Sequence, residues 1–138
     1  MNIFERIKAL NFPKGHYIVV GSGILAAKGI REANDLDIVV TPELFTICKK
    51  NGWELKPWTK KEIPGNPWLK KDDAELMIDM NYNGVSFGVS DLMKEGEHIN
   101  DIWFISLKRL AAFKQAWGRP RDFEDIILIE EYLKLNKR

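Results

Sequence analysis

Apolar residues recur at Ile3, Ile7 and Leu10, the spacing of one helix face, until Phe12-Pro13-Lys14-Gly15 breaks the pattern. His16 to Val20 is a short apolar run bounded by glycines and predicts a buried strand. Gly21-Ser22-Gly23 turns out of it into a short helix over Ile24 to Lys28, closed by Gly29. Asp35 to Val40 predicts a second strand. A helix follows, with Thr41 as cap and Pro42 at its first position, running to Lys50 and ended by Asn51-Gly52. Trp53 to Pro57 reads as a strand, and Thr59 to Asp73, which contains Pro64, Gly65 and Pro67, as a loop. Ala74 to Tyr82 and Val85 to Val89 read as two strands around Asn83-Gly84, a strong hairpin signal. A short helix is expected from Asp91, and Ile102 to Ile105 is another brief apolar run. Ser106 caps a helix to about Trp117, Gly118-Arg119-Pro120 breaks it, and Asp122 opens a last helix. In that helix Phe123, Ile126, Ile127, Ile129, Tyr132 and Leu133 form a broad apolar stripe. The predicted class is α/β or α+β: a small mixed β-sheet with flanking helices, two of them C-terminal.

Composition narrows the class further. The 138 residues are 45% hydrophobic and 30% charged, ordinary for a globular chain, and no repeat or linker divides them. A single domain over residues 1–138 is expected. Lys plus Arg number 21 against 20 Asp plus Glu, a net charge of +1. That balance argues against attraction to bulk phosphate, although it permits a local basic groove. The single cysteine, Cys48, excludes a disulfide framework and a Cys-based zinc cluster and fits a reducing compartment. His16 opens a strand and His98 is expected in a polar turn; neither has a second His or a Cys at ligand spacing, so zinc is not indicated. No apolar run approaches the roughly 18 residues of a membrane span. A soluble, cytoplasmic product is expected.

The most informative segment runs from Tyr17 to Val40. It reads strand, Gly21-Ser22-Gly23, short helix, then Asp35-Leu36-Asp37-Ile38-Val39-Val40. Residues two apart on a strand share a face, so Asp35 and Asp37 are expected side by side, where their charges repel. A divalent cation removes that cost, because Mg²⁺ accepts hard oxygen ligands from one or two carboxylates plus substrate phosphates. The backbone N–H groups of the glycine turn and the Ser22 hydroxyl offer a phosphate cradle. Gly21-x-Gly23-x-x-Ala26 also fits a loose dinucleotide-binding fingerprint, but there the acidic residue follows the second strand. No Gly-Lys-Ser/Thr occurs, which excludes a P-loop. The plain alternative is a turn followed by two solvent-facing aspartates.

Val20-Gly21-Ser22, a helix-and-turn gap over residues 23–34, and Asp35-Leu36-Asp37-Ile38 together resemble the signature of the nucleotidyltransferase superfamily, the polymerase-beta-like fold. The run Ser106-Leu107-Lys108-Arg109-Leu110, Lys114, then Gly118-Arg119-Pro120-Arg121-Asp122-Phe123-Glu124-Asp125 is similar to the ending of many small bacterial members. The resemblance covers about half the chain. It implies a small mixed sheet with two metal-binding carboxylates, Asp35 and Asp37, on one strand and a third on a neighbouring strand. Asp79, flanked by Ile78 and Met80, is the first candidate for the third, and Glu75 and Asp73 follow. It further implies Mg²⁺ (or Mn²⁺) as cofactor and an NTP as donor, with Gly21, Ser22 and Gly23 holding phosphate oxygens.

The remaining candidates divide between chemistry and structure. Lys114, Arg119 and Arg121 could bind a triphosphate or decorate a helix end. Asp122 and Asp125 read as a cap and a first-turn acid. Trp58, Trp68, Lys60 and Lys61 combine aromatics with cations, either to stack a base or to cover a core edge. The function expected is transfer of a nucleoside monophosphate from an NTP to an acceptor hydroxyl on a small molecule, a protein or an RNA. The rival is a catalytically inactive binding or regulatory module of the same fold, such as a toxin–antitoxin partner. A chain this short has little room for an acceptor domain, which favours a partner protein or a homo-oligomer.

Overall fold

The structure is a computed structural model and describes residues 2–60, 65–82 and 84–136. In chain order its elements are α1 (Ile3–Lys8), β1 (Tyr17–Val20), α2 (Gly23–Ala27), β2 (Leu36–Val40), α3 (Pro42–Lys50), β3 (Glu54–Lys56), β4 (Trp68–Lys71) and β5 (Ala74–Met77). Then come β6 (Met80–Tyr82), β7 (Val85–Phe87), α4 (Val89–Met93), β8 (Glu97–Ile99), β9 (Ile102–Phe104), α5 (Leu107–Trp117) and α6 (Pro120–Leu135). Among the described residues no helix is long and apolar enough to cross a membrane.

A seven-stranded sheet has the order β3-β4-β5-β2-β1-β9-β8, and β6 and β7 form a separate antiparallel pair. β1 and β2 are antiparallel at its centre, with Tyr17 opposite Val40 and Val20 opposite Asp37. β2 pairs β5 in parallel and β1 pairs β9 in parallel. Ile18, Val19, Val20, Ile38, Val39 and Val40 are all buried. The centre of the sheet is therefore covered on both faces, which is why these runs are continuously apolar rather than alternating. The core extends outward through Leu69 and Leu76 to Phe104, Leu110, Phe113 and Ile129.

The helix starts follow from local capping. Asn2 accepts the Glu5 N–H at 2.9 Å, Thr41 that of Leu44 at 3.4 Å and Ser106 that of Arg109 at 3.1 Å. Gly118, at φ +65°, ends α5 in the left-handed conformation and frees the chain to turn into α6.

Four expectations are corrected. Trp68 to Lys71, assigned to a loop, is a strand; only Leu69 in it is fully buried, so the segment carries little hydrophobic pattern and depends on β3 and β5 beside it. Ala74 to Tyr82 is not one strand, because the chain leaves the main sheet after Met77 and re-pairs as β6 with β7. Asn83 of the expected hairpin turn lies outside the described residues, as do Lys61 and Pro64. His98, expected in a turn, is in β8, which pairs β9 across Asn100 and Asp101 at φ +49° and +66°. α6 begins at Pro120, so Asp122 is its third residue, not its opener.

Gly23 has a packing role. A Cβ there would stand 2.5 Å from Val19 Cγ1, so the start of α2 lies directly on β1. Gly29, at φ +70°, has open space around it. Gly23→Ala is expected to cost about 1–3 kcal/mol by overpacking, against about 1 kcal/mol of backbone strain for Gly29→Ala. Urea unfolding of the two variants checks the order.

Candidate active site

β1 ends at Val20, opposite Asp37, and the chain turns at once through Gly21 at φ +63°. A Cβ on Gly21 would stand 2.6 Å from Asp37 Oδ2, so the turn is backed against the carboxylate and only glycine permits the approach. On the other side of β2, Asp37 is in register with Glu75 of β5. Directly paired residues share a face of the sheet, so the two acids lie on one surface. Asp35 stands exposed one residue before β2, two positions from Asp37. All three line a cleft of ≈ 680 Å³.

The acids are crowded. Burial pushes Asp37 up to about 7, reinforced by the charges of Glu75 and Asp35 and opposed by Lys60 and Lys114. Glu75 is raised too, first by burial and then by Asp35, against Lys70 and Lys60. Asp37 is therefore a carboxyl whose ionised form the folded protein disfavours until a positive charge arrives.

The other acid candidates occupy different places. Asp79 is not on a strand beside Asp35 and Asp37. It lies in the break between β5 and β6, on the cleft wall, where its oxygens accept from Ser86 Oγ at 2.6 Å and Asn66 Nδ2 at 3.2 Å. The break moves the strand position next to Asp37 to Glu75. Asp73 turns away to Arg6, at 2.5 Å.

The C-terminal helices bring a charge network to the same cleft. Arg31, from the α2–β2 connection, grips Asp125 with Nε and Nη2, each at 2.7 Å. Lys114 Nζ of α5 lies 2.9 Å from Asp125 and 3.4 Å from Asp122. Arg119 bonds Asp122 through Nε at 2.7 Å and Nη2 at 3.1 Å, and its guanidinium lies 5.3 Å from the Trp117 ring. Burial alone would raise both aspartates. The Arg119 bonds to Asp122, and the Arg31 and Lys114 bonds to Asp125, outweigh it and hold both carboxyls below the usual range. Three cations thus share two carboxylates. Lys114 and Arg119 are in the cleft, but as members of this network rather than as free helix-end charges.

Asp122 and Asp125 are the residues whose weight the sequence understated. With Ile129 they fall at i, i+3 and i+7 on α6, all three buried. Acids at core positions of a helical stripe were the available signal. The pairing of Arg31 with Asp125, far apart in the chain, left none. Trp58, half-buried and packed so tightly on Gly65 that a Cβ there would stand 2.2 Å from its ring, lines the cleft with Lys60, whose Nζ lies 5.8 Å from that ring.

No protein-family model and no curated protein matches the chain. Solved structures do. TM1012 from Thermotoga maritima, provisionally assigned as a nucleotidyltransferase, matches over 99% of this chain and 97% of that one, at 20% identity and a TM-score of 0.55. ANT(2")-Ia, solved in complex with adenylyl-2"-tobramycin, matches over 96% of this chain and 86% of that one, at 15% identity and a TM-score of 0.53. The antiparallel pairing of β1 and β2 rules out the parallel strand–helix–strand unit of a dinucleotide-binding fold. The mixed seven-stranded sheet with two C-terminal helices is the nucleotidyltransferase-like fold of these solved structures.

Proposed function

We propose that the protein is a metal-dependent nucleotidyltransferase that moves a nucleoside monophosphate from an NTP to an acceptor hydroxyl. One observation carries the reading. The glycine turn is backed against Asp37, and Asp37 is in register with Glu75, so turn and acids make one surface of a nucleotidyltransferase-like sheet. The donor set suits Mg²⁺ or Mn²⁺: hard carboxylate oxygens, crowded until a cation joins them. Among the described residues no three His, Cys, Asp or Glu side chains form a ready-made metal cage. Mg²⁺ does not require one, because substrate phosphates and water complete its shell.

Asp35 and Asp37 would hold the metal, with Glu75 beside them. When bound, Mg²⁺ supplies charge neutralisation for the triphosphate and the leaving pyrophosphate. Ser22, whose hydroxyl makes no capping bond to α2, would donate to a phosphate oxygen together with the backbone of Gly21 and Gly23. Arg119 and Lys114 present the excess positive charge of their network to the phosphates. The acceptor oxygen forms a bond to the α-phosphorus as the bond to pyrophosphate breaks, and its proton passes to Glu75. A raised carboxyl is a better base than an ordinary one. Asp79, tethered by Ser86 and Asn66 across the cleft, would orient the acceptor. The adenylylated tobramycin in ANT(2")-Ia supports a small-molecule hydroxyl as acceptor. A labelled-NTP screen over small-molecule, protein and RNA acceptors tests the reading.

Asp35→Asn and Asp37→Asn are each expected to abolish the Mg²⁺-dependent rise in Tm produced by NTP, and transfer with it. Wild-type behaviour in either variant would remove the metal assignment.

Without metal, the raised Asp37 gives a definite sign. The folded state holds its proton up to about pH 7, against 3.8 for an ordinary aspartate. Its contribution is therefore full at low pH and is lost as pH rises from about 4 through 7. In EDTA at pH 8, Asp37→Asn is expected to raise Tm by about 3–6 °C, with no gain at pH 4. Calorimetry across that range checks it.

Glu75→Gln is expected to lower single-turnover transfer about 10²-fold while NTP binding survives. Asp79→Ala is expected to raise the acceptor KM with less change in kcat. The reverse pattern would give the base role to Asp79.

A further inference from the structure

α1 is anchored by its apolar side. Ile3 and Ile7 are buried, and Phe4 meets Phe104 edge-on with ring centroids 6.0 Å apart. From this base Arg6, its side chain 19% exposed, reaches the end of the sheet where the acids stand. Nη1 donates to the Ala33 carbonyl at 3.0 Å, and Nη2 to the Asn34 carbonyl at 3.1 Å and to Asp73 Oδ2 at 2.5 Å. The Asp73 carbonyl in turn accepts the Leu36 N–H at 2.9 Å. Asp35 is thus bracketed: the two carbonyls before it are held by Arg6, and the amide after it by Asp73, to which Arg6 is also bonded. Residues 31–35 belong to no helix or strand, so the local backbone has no ladder of its own to fix it.

We infer that Arg6 is a positioning residue of the proposed nucleotidyltransferase site: through the Ala33 and Asn34 carbonyls its guanidinium fixes the backbone that carries Asp35, beside the start of β5, which carries Glu75. The inference rests on the reading of those acids as the metal-holding surface. A planar fork with five donors reaches two carbonyls and a carboxylate at once, which the single ammonium of lysine does not match. The ion pair with Asp73, 57% exposed, adds little stability. What Arg6 supplies is order at Asp35. Loss of such an outer contact typically weakens metal affinity about 10–100-fold.

The test measures the Mg²⁺ concentration giving half of the Tm rise in an equimolar mixture of ATP, GTP, CTP and UTP. Arg6→Gln is expected to raise that midpoint at least about tenfold. Arg6→Lys should raise it too and carries the test if Arg6→Gln fails to fold. Asp73→Asn, which leaves both carbonyl bonds in place, should leave it within about twofold. Amide hydrogen exchange, read with neither metal nor nucleotide, should quicken over residues 33–36 in the Arg6 variants while β1 amides keep their protection. If the wild type responds to Mg²⁺ and NTP but Arg6→Lys keeps its midpoint and exchange, the inference about Arg6 falls and the site stands. If the wild type itself shows no Mg²⁺-dependent rise, the nucleotidyltransferase reading falls and this inference with it.

Discussion

The structure turns on one crowded carboxylate. Asp37 sits at the centre of the sheet, with Gly21 against one oxygen and Glu75 in register on the next strand. Nothing in folding demands an acid there. A valine would extend the apolar run of β2 and avoid the desolvation cost that pushes Asp37 up to about 7. The cost is local, because Ile38, Val39 and Val40 continue the strand with complete burial. Destabilised polar groups held in place by a well-packed frame mark a site shaped for something other than stability.

The topology explains how short elements achieve this. An antiparallel β1–β2 pair brings the end of β1 opposite the start of β2, so the turn leaving β1 meets the second aspartate of the Asp-x-Asp run. The parallel β2–β5 pair then brings the start of β5, with Glu75, to the same place. Glycine turn and acids therefore converge at one edge of three adjacent strands without any long excursion of the chain. The break after Met77 follows naturally: the chain has delivered Glu75, and it leaves the sheet to form the cleft wall that carries Asp79.

Much of this was legible in the sequence, and the limits have physical causes. The central strands, the capped helices and the grouping of Gly21 with Asp37 are encoded locally, by continuous apolar runs, cap residues and a two-residue spacing. The third acid was not. Alternation through Leu76-Met77-Ile78-Asp79-Met80 keeps the same pattern whether the chain stays in the sheet or re-pairs with β7, so Asp79 and Glu75 were equivalent on that basis. Only the partner strand distinguishes them. β4 was missed for a related reason: a strand whose inward-facing content is one leucine takes its identity from its neighbours rather than its own residues.

The ion network of α5 and α6 answers the same logic from the opposite charge. Replacing a buried cluster such as Arg31–Asp125–Lys114–Asp122–Arg119 with apolar residues is often neutral or stabilising, so its presence is weak support for a role in stability. What it does provide is direction. Arg31, Lys114 and Arg119 are held by Asp122 and Asp125, a pair of carboxylates separate from Asp35, Asp37 and Glu75. Lys114 still lies close enough to lower Asp37, and Lys60 lowers it as well, from the Trp58 side. A cleft with a negative floor and a separately braced positive wall suits a ligand that is itself divided in charge. The metal-bound triphosphate proposed above is such a ligand.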